Sequence, residues 1–165
     1  MRKSAPTIAL WLTIAAGVAF ADQITKLWLA SKLAPGAAVA VTGFFNLVHV
    51  YNTGAAFSFL ANEGGWQRGF FVAVAIVAAV VIVVLLRRHA AERFFCAALA
   101  LILGGALGNL FDRIALGKVV DFLDFHAFGW HWPAFNLADS AITVGAAMLI
   151  FEALRGHRPG GKQGA

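Results

Sequence analysis
The chain has 165 residues, of which 61 % are hydrophobic and only 13 % charged, against roughly 45–50 % and 25 % in an average soluble domain. A soluble domain of this length has too much surface to hide so much apolar area, and a disordered chain is rich in charge and poor in aromatics, so both classes are excluded. The formal charge of +5 comes without a long basic run, and the single cysteine, Cys96, excludes an internal disulfide and a cysteine-based zinc cluster.

What remains is an α-helical polytopic membrane protein, a single membrane-embedded domain over residues 1–165. A spanning helix needs about 20 mostly apolar residues, and four stretches qualify. The first covers 8–29, apolar except for Thr13 and for Asp22, Gln23, Thr25 and Lys26 in the last two turns. Arg2-Lys3 before it and Ala19-Phe20-Ala21 within it also fit a cleaved secretory signal. Against cleavage, Asp22, Gln23 and Lys26 look functional and apolarity resumes through Leu27 to Leu29, so the span is kept. The segment 36–68 has a different texture: 38–41 and 46–51 are β-branched and partly alternating, punctuated by Gly43, Gly54 and Gly64-Gly65. Short strands lying on the membrane surface are expected there. Asn52-Thr53-Gly54-Ala55-Ala56-Phe57 then sets an amide before very small residues, which suits either close helix packing or a groove for an extended peptide.

The second span, 69–86, has no polar side chain. The third, 94–111, is interrupted only by glycines and by Asn109 near its end. After the segment 112–134, the fourth span, 135–154, carries Asn136, Asp139 and Ser140 in its first turns, and a short basic tail, 155–165, ends the chain. Orientation follows the lysine and arginine bias. Arg2, Lys3, Arg87, Arg88, Arg93, Arg155, Arg158 and Lys162 fall on one side, against at most Lys26, Lys32, Arg68, Arg113 and Lys118 on the other. Both termini are therefore expected in the cytoplasm, with 30–68 and 112–134 outside. Trp28, Trp66, Trp130 and Trp132 all fall at outer span ends, where amphipathic rings prefer the headgroup level.

Ionisable residues in spans default to functional candidates, and here they share one depth. Asp22 and Lys26 close the first span, Asn109, Asp112 and Arg113 close the third, and Asn136 and Asp139 open the fourth. Asp22 and Lys26 are four apart and can pair on one helix face, as can Asn109 and Arg113. Taken alone, Lys26 and Lys118 fit interfacial anchors that snorkel to water. Asn136 and Asp139 are too short for that. Asp121 lies 18 residues before Asp139, and a connection containing Gly129 and Pro133 can fold back to bring the two together. Two carboxylates in a partly dry site do not both ionise, which provides a base to activate water and an acid for the leaving amine. His126, His131 and Asp124 lie between them and offer a zinc alternative, although His126 and His131 are five apart and no HExxH pattern exists. No nucleophile elbow is present, and Cys96, far from the other polar groups, fits a buried inert thiol. A proton-coupled transporter places its aspartates nearer the midplane, and a non-catalytic membrane subunit has no need of a second aspartate.

The motifs Asp22-Gln23 with Lys26, Asn52-Thr53-Gly54-Ala55-Ala56-Phe57, Gly108-Asn109-Leu110-Phe111-Asp112-Arg113, Val119-Val120-Asp121-Phe122 and Phe135-Asn136-Leu137-Ala138-Asp139 follow one another at outer span ends. In that order and layout the sequence resembles the bacterial lipoprotein signal peptidases (signal peptidase II), aspartic proteases of the inner membrane. The resemblance implies four transmembrane helices with a small extracytoplasmic β-containing segment. It makes Asp121 and Asp139 the catalytic dyad. Asn52, Asn109, Arg113 and Asn136 would line or brace the site, Asp22 with Lys26 would support it from the first helix, and Gly54 would leave room for substrate. It further implies cleavage of prolipoproteins just before a diacylglyceryl-modified cysteine, with lipid-modified precursors and membrane lipid as partners, no nucleic acid, and no metal or organic cofactor. Asp112, Asp124, His126 and His131 receive no catalytic role from the motifs.

Overall fold
The computed structural model describes residues 7–54 and 66–156. Four long helices cross it: α1 Ile8–Lys32, α2 Trp66–Arg88, α3 Arg93–Ala115 and α4 Leu137–Gly156. All four are long and apolar enough to span a membrane. α2 shows why the surroundings must be lipid: Phe70, Val74, Ile76, Val77, Val80, Val81 and Val84 are all exposed, a face that water would not tolerate but hydrocarbon does. The termini Arg2, Lys3, Arg158 and Lys162, which enter the orientation count, lie outside the described residues.

α3 is the central helix, half of its apolar stretch buried while the other three helices are largely exposed. Its glycines explain that position, because small residues let helix backbones approach closely in a membrane. A Cβ on Gly104 would stand 2.6 Å from the Ala15 carbonyl of α1, and one on Gly105 would overlap the Ala138 carbonyl of α4. Gly145 of α4 answers from the other side, its position 2.6 Å from the Ala98 carbonyl. Gly105→Val should therefore push α4 off α3, at a cost of about 1–3 kcal/mol for an overpacked contact. The readout is a lowered melting temperature in detergent together with lost activity. Trp11, Ala15, Ile82, Leu86, Cys96, Leu99, Ala100 and Leu103 form the core at the α2–α3 turn end. There Trp11 Nε1 donates to the Ala90 carbonyl at 3.0 Å and the Cys96 thiol to the His89 carbonyl at 3.0 Å, so the thiol is buried as expected.

At the opposite end a four-stranded antiparallel sheet runs in the order β1 (Ala38–Thr42), β2 (Phe45–Asn52), β3 (Val119–Ala127), β4 (Trp130–His131). The first two strands match the sequence expectation to within a residue or so. β3 and β4 were not anticipated: the segment 112–134 reads as a connection, and its pairing with β2 is invisible in local pattern. Phe128 (φ 52°) and Gly129 (φ 79°) make the tight turn between them, two left-handed residues of the kind a two-residue hairpin demands. β3 packs through Val120 and Phe122 onto Leu29 of α1, which fixes the sheet on the end of the bundle.

Two expectations are corrected. Lys26 is not the snorkelling anchor it resembles when taken alone: it is 3 % exposed and points inward, paired with Asp22 as its spacing allows. α4 begins at Leu137 rather than at 135, because Phe135 exchanges backbone hydrogen bonds with Leu123 of β3. Asp139 is thus the third residue of its helix, not the fifth. Lys118 also departs from a simple anchor, since its ammonium lies 3.3 Å from the centroid of the Tyr51 ring. The four tryptophans Trp28, Trp66, Trp130 and Trp132 are all exposed.

Candidate active site
The polar ends of α1, α3 and α4 meet beneath the sheet. Lys26 Nζ lies 2.8 Å from Asp22 Oδ2, 2.8 Å from Asp112 Oδ2 and 3.0 Å from Asn109 Oδ1. An ammonium has three donors and no acceptor, so all three are used. Burying these charges is tolerable only because the one ammonium faces both carboxylates and the polar groups are hydrogen-bonded. Gly108 makes room for the cluster: a Cβ there would stand 2.6 Å from Asp22 Oδ2. Gly108→Ala should displace Asp22 from Lys26, seen as reduced thermal stability and a loss of activity exceeding that of Gly69→Ala, where the added atom meets nothing within 4 Å.

Lys26 also decides the orientation of the next amide. Asn109 Oδ1 accepts from Lys26 and from Asn136 Nδ2 (3.1 Å), which leaves Asn109 Nδ2 to donate to Asp139 Oδ1 at 2.7 Å. Asn136 caps α4. Its Oδ1 accepts from the Asp139 N–H at 2.9 Å while Asp139 Oδ2 accepts from the Asn136 N–H at 3.3 Å, the reciprocal arrangement of a capping box. The same Asn136 side chain donates to Asp121 Oδ1 at 2.7 Å. Asn136 therefore touches both carboxylates, and the fold-back inferred from Gly129 and Pro133 has brought Asp121 and Asp139 into one site.

Asp121 faces Val50 in the β2–β3 register and is 2 % exposed. Its second oxygen accepts from Asn52 Nδ2 at 3.0 Å, and Asn52 Oδ1 accepts from the Gly54 N–H at 2.9 Å. Burial, and then the charge of Asp139, push the Asp121 carboxyl up to about 7 against the opposing pull of the Asn52 and Asn136 hydrogen bonds. A carboxyl in this position holds its proton to higher pH than an ordinary aspartate does. Asp139 is half-buried and opens onto a cavity of about 510 Å³ shared with Asn52, Asn109, Arg113, Val119 and Phe135. The apolar side chains Ile142 and Val144 extend that cavity down α4. Arg113 does not reach the carboxylates: it donates to the Gly54 carbonyl at 3.0 Å and its guanidinium lies 5.1 Å from the Phe71 ring centroid. It clamps the end of β2 over the site. Ala55, Ala56 and Phe57, the rest of the small-residue stretch, lie outside the described residues.

Asp124, His126 and His131 form a separate group toward the open edge of the sheet. His131 Nδ1 lies 2.9 Å from Asp124 Oδ1, Asn46 Nδ2 donates to Asp124 Oδ2 at 2.8 Å, and the two histidine rings stack at 4.9 Å. Burial raises the Asp124 carboxyl, but the hydrogen bonds from Asn46 and His131 outweigh it and hold the group below its usual range. Among the described residues no three histidine, cysteine or acidic side chains are arranged to hold a metal ion.

All the expected residues Asp22, Lys26, Asn52, Gly54, Asn109, Arg113, Asp121, Asn136 and Asp139 thus share one region. Two neighbours outside that set join it. Gln23 Nε2 reaches Asp112 Oδ1 at 3.0 Å and the Gly108 carbonyl at 3.1 Å. Asp112, which receives no catalytic role from the motifs, is 2 % exposed and binds Lys26. The available signal was its place three residues after Asn109, on the same helix face.

Comparison with known proteins gives a consistent result. A family model described as signal peptidase (SPase) II matches residues 14–155. A protein named lipoprotein signal peptidase from Paraburkholderia phymatum is 58 % identical over 149 residues, covering 90 % of each chain. A lipoprotein signal peptidase from Paraburkholderia phytofirmans is 58 % identical over 162 residues, covering 94 % of each. A solved structure described as a bacterial membrane enzyme determined in meso at 2.3 Å resolution superposes with a TM-score of 0.85 at 31 % identity, over the full length of both chains.

Proposed function
This chain belongs to the signal peptidase II family of membrane aspartic proteases, and from that premise we propose that Asp121 and Asp139 are its catalytic pair, cleaving prolipoproteins before a diacylglyceryl-modified cysteine. The observation that carries this reading is Asn136, which hydrogen-bonds to both carboxylates at once. Asp139, open to the cavity, takes the proton of the attacking water. Asp121 holds a proton and polarises the scissile carbonyl, which reaches it past Asn52. The tetrahedral intermediate then collapses: the C–N bond breaks as Asp139 returns the water's proton to the departing amine, and the carbonyl re-forms beside Asp121.

The single domain sits in the bacterial inner membrane, with both termini cytoplasmic and the dyad at the outer face; the lysine and arginine distribution supports this. A lipidated precursor brings its scissile bond to that depth, and each acyl methylene contributes about 0.8 kcal/mol toward holding it there. Mass spectrometry of a diacylglyceryl peptide and its unmodified twin, each incubated with purified protein, tests the assignment. Release of the signal peptide from the first only is expected. Equal cleavage of both refutes lipid dependence, and cleavage of neither refutes the function. Gly54→Leu should raise KM for the lipidated peptide, since Gly54 is buried beside Asn52 and Arg113.

The pH profile follows from the protonated role of Asp121. Its proton is lost as pH rises through about 7, so kcat/KM should fall on the alkaline side of that value. Asn52→Leu removes a hydrogen bond that favours the charged form, so the alkaline limb should move to higher pH even as the maximum drops. A limb that stays in place or moves down contradicts the assignment of the proton to Asp121.

A further inference from the structure
Each member of the proposed pair follows a residue whose backbone N–H ends on a second, non-catalytic carboxylate. Ala138 N–H, one residue before Asp139, donates to Asp22 Oδ1 at 2.9 Å. Val120 N–H, one residue before Asp121, donates to Asp112 Oδ2 at 3.2 Å. Lys26 Nζ stands between the two holding groups, 2.8 Å from each. Gln23 Nε2 joins them again, 3.2 Å from Asp22 Oδ2 and 3.0 Å from Asp112 Oδ1. The path Ala138–Asp22–Lys26–Asp112–Val120 is therefore closed by short contacts and buried at every side chain, with Asp22, Lys26 and Asp112 no more than 3 % exposed.

We infer that Asp22, Lys26 and Asp112 act as a gauge that sets the separation of Asp121 and Asp139, and that Asp112 is a positioning residue of the reaction. This rests on the reading of Asp121 and Asp139 as the catalytic pair. β3 and the start of α4 are also joined directly, by the Phe135–Leu123 bridge and by Asn136 Nδ2, which donates to the Val120 carbonyl at 3.2 Å, so the charged cluster acts on a contact that already exists. The capping box orients the Asp139 carboxylate, and Asn136 links it to Asp121. The two N–H anchors add a second, charged fix from α1 and α3 on the residue before each aspartate. A tetrahedral intermediate needs one oxygen within hydrogen-bond reach of each carboxyl group, and a misplacement of about 1 Å costs on the order of a hundredfold in rate. Asp112 touches neither substrate nor the reacting atoms, so its effect is confined to geometry. The groups that face the pair from the packed elements are Lys26 of α1 and Arg113 of α3, and neither is altered in the test below.

The test uses the full chain in lipid vesicles, a diacylglyceryl precursor peptide, and a hydroxyl-bearing peptide isostere that mimics the tetrahedral intermediate. Asp112→Glu keeps the charge for Lys26 but lengthens the arm that holds Val120. Asp112→Asn keeps an acceptor for Val120 but drops the charge. Both are expected to lower kcat on the order of a hundredfold while KM stays within about threefold, and to weaken the isostere in parallel with kcat. Wild-type kcat in Asp112→Glu overturns the gauge, since charge alone would then suffice. So does a loss confined to the number of titratable sites with kcat per site unchanged, or failure of both variants to fold, because Asp112 would then be scaffolding. Asp121→Asn and Asp139→Asn run beside them separate the two readings. If either cleaves, the catalytic pair is wrong; if both are inactive while the Asp112 variants are fully active, only the gauge is wrong.

Discussion

Asp121→Asn and Asp139→Asn are each expected to reduce cleavage of a lipidated precursor peptide by about 10³-fold or more, while the protein remains folded and membrane-inserted. The magnitude follows from the two roles. Positioned acid–base groups contribute about 10²–10⁴-fold each, and neither half of the pair works without the other. The substitutions are nearly isosteric, but they are not silent in structure. Both oxygens of Asp121 accept amide hydrogens, from Asn136 and Asn52, and both oxygens of Asp139 accept, from Asn109 and the Asn136 N–H. An introduced amide presents an NH₂ to a donor at one of these positions, leaving one bond unmade at about 1–3 kcal/mol. A modest drop in melting temperature should therefore accompany the loss of activity. Substantial turnover by either purified variant removes that residue from the pair. Inhibition by a chelator, reversed by zinc, would instead move the chemistry to His126, His131 and Asp124.

The candidate site is legible in the sequence because its signals are local or compositional. Asp22 and Lys26 share a helix face by spacing alone. Asn136 and Asp139 stand out in an apolar helix, and all the ionisable groups gather at one depth. What stayed hidden depends on contacts between distant segments. Lys26 looks like an anchor until Asp112, 86 positions later, supplies its second carboxylate. β3 looks like a connection until β2 pairs with it, since Val119, Val120, Asp121 and Phe122 are all buried and show no inside–outside alternation. The start of α4 is displaced for the same reason: a β-bridge from Phe135 to Leu123 overrides the hydropathy that would begin the helix two residues earlier. The helix boundaries that matter for chemistry are thus set by the sheet, and only apolar run length by the sequence itself.

Lys26→Met should be the most destabilising single change in the bundle. Removing one partner of a buried ion pair costs about 3–5 kcal/mol, because it leaves an uncompensated charge behind. Here it leaves two, for Asp22 and Asp112 both lie 2.8 Å from the missing ammonium. The thioether also leaves Asn109 Oδ1 with Asn136 alone, so the Asn109 amide loses part of what orients it toward Asp139. Unfolding measured in mixed detergent should show the full stability loss, and cleavage should fall with it. A triple variant, Asp22→Asn with Lys26→Met and Asp112→Asn, separates the two effects. It removes all three charges but keeps oxygen acceptors for the Ala138 and Val120 N–H groups, so most of the stability should return, as it does when a whole buried ion cluster is replaced. Activity should not return, because nothing then fixes the Asn109 amide or clamps the two holding groups together. A triple variant that recovers both would show that the cluster serves folding alone. One that recovers neither would show that its charge is indispensable to the bundle itself.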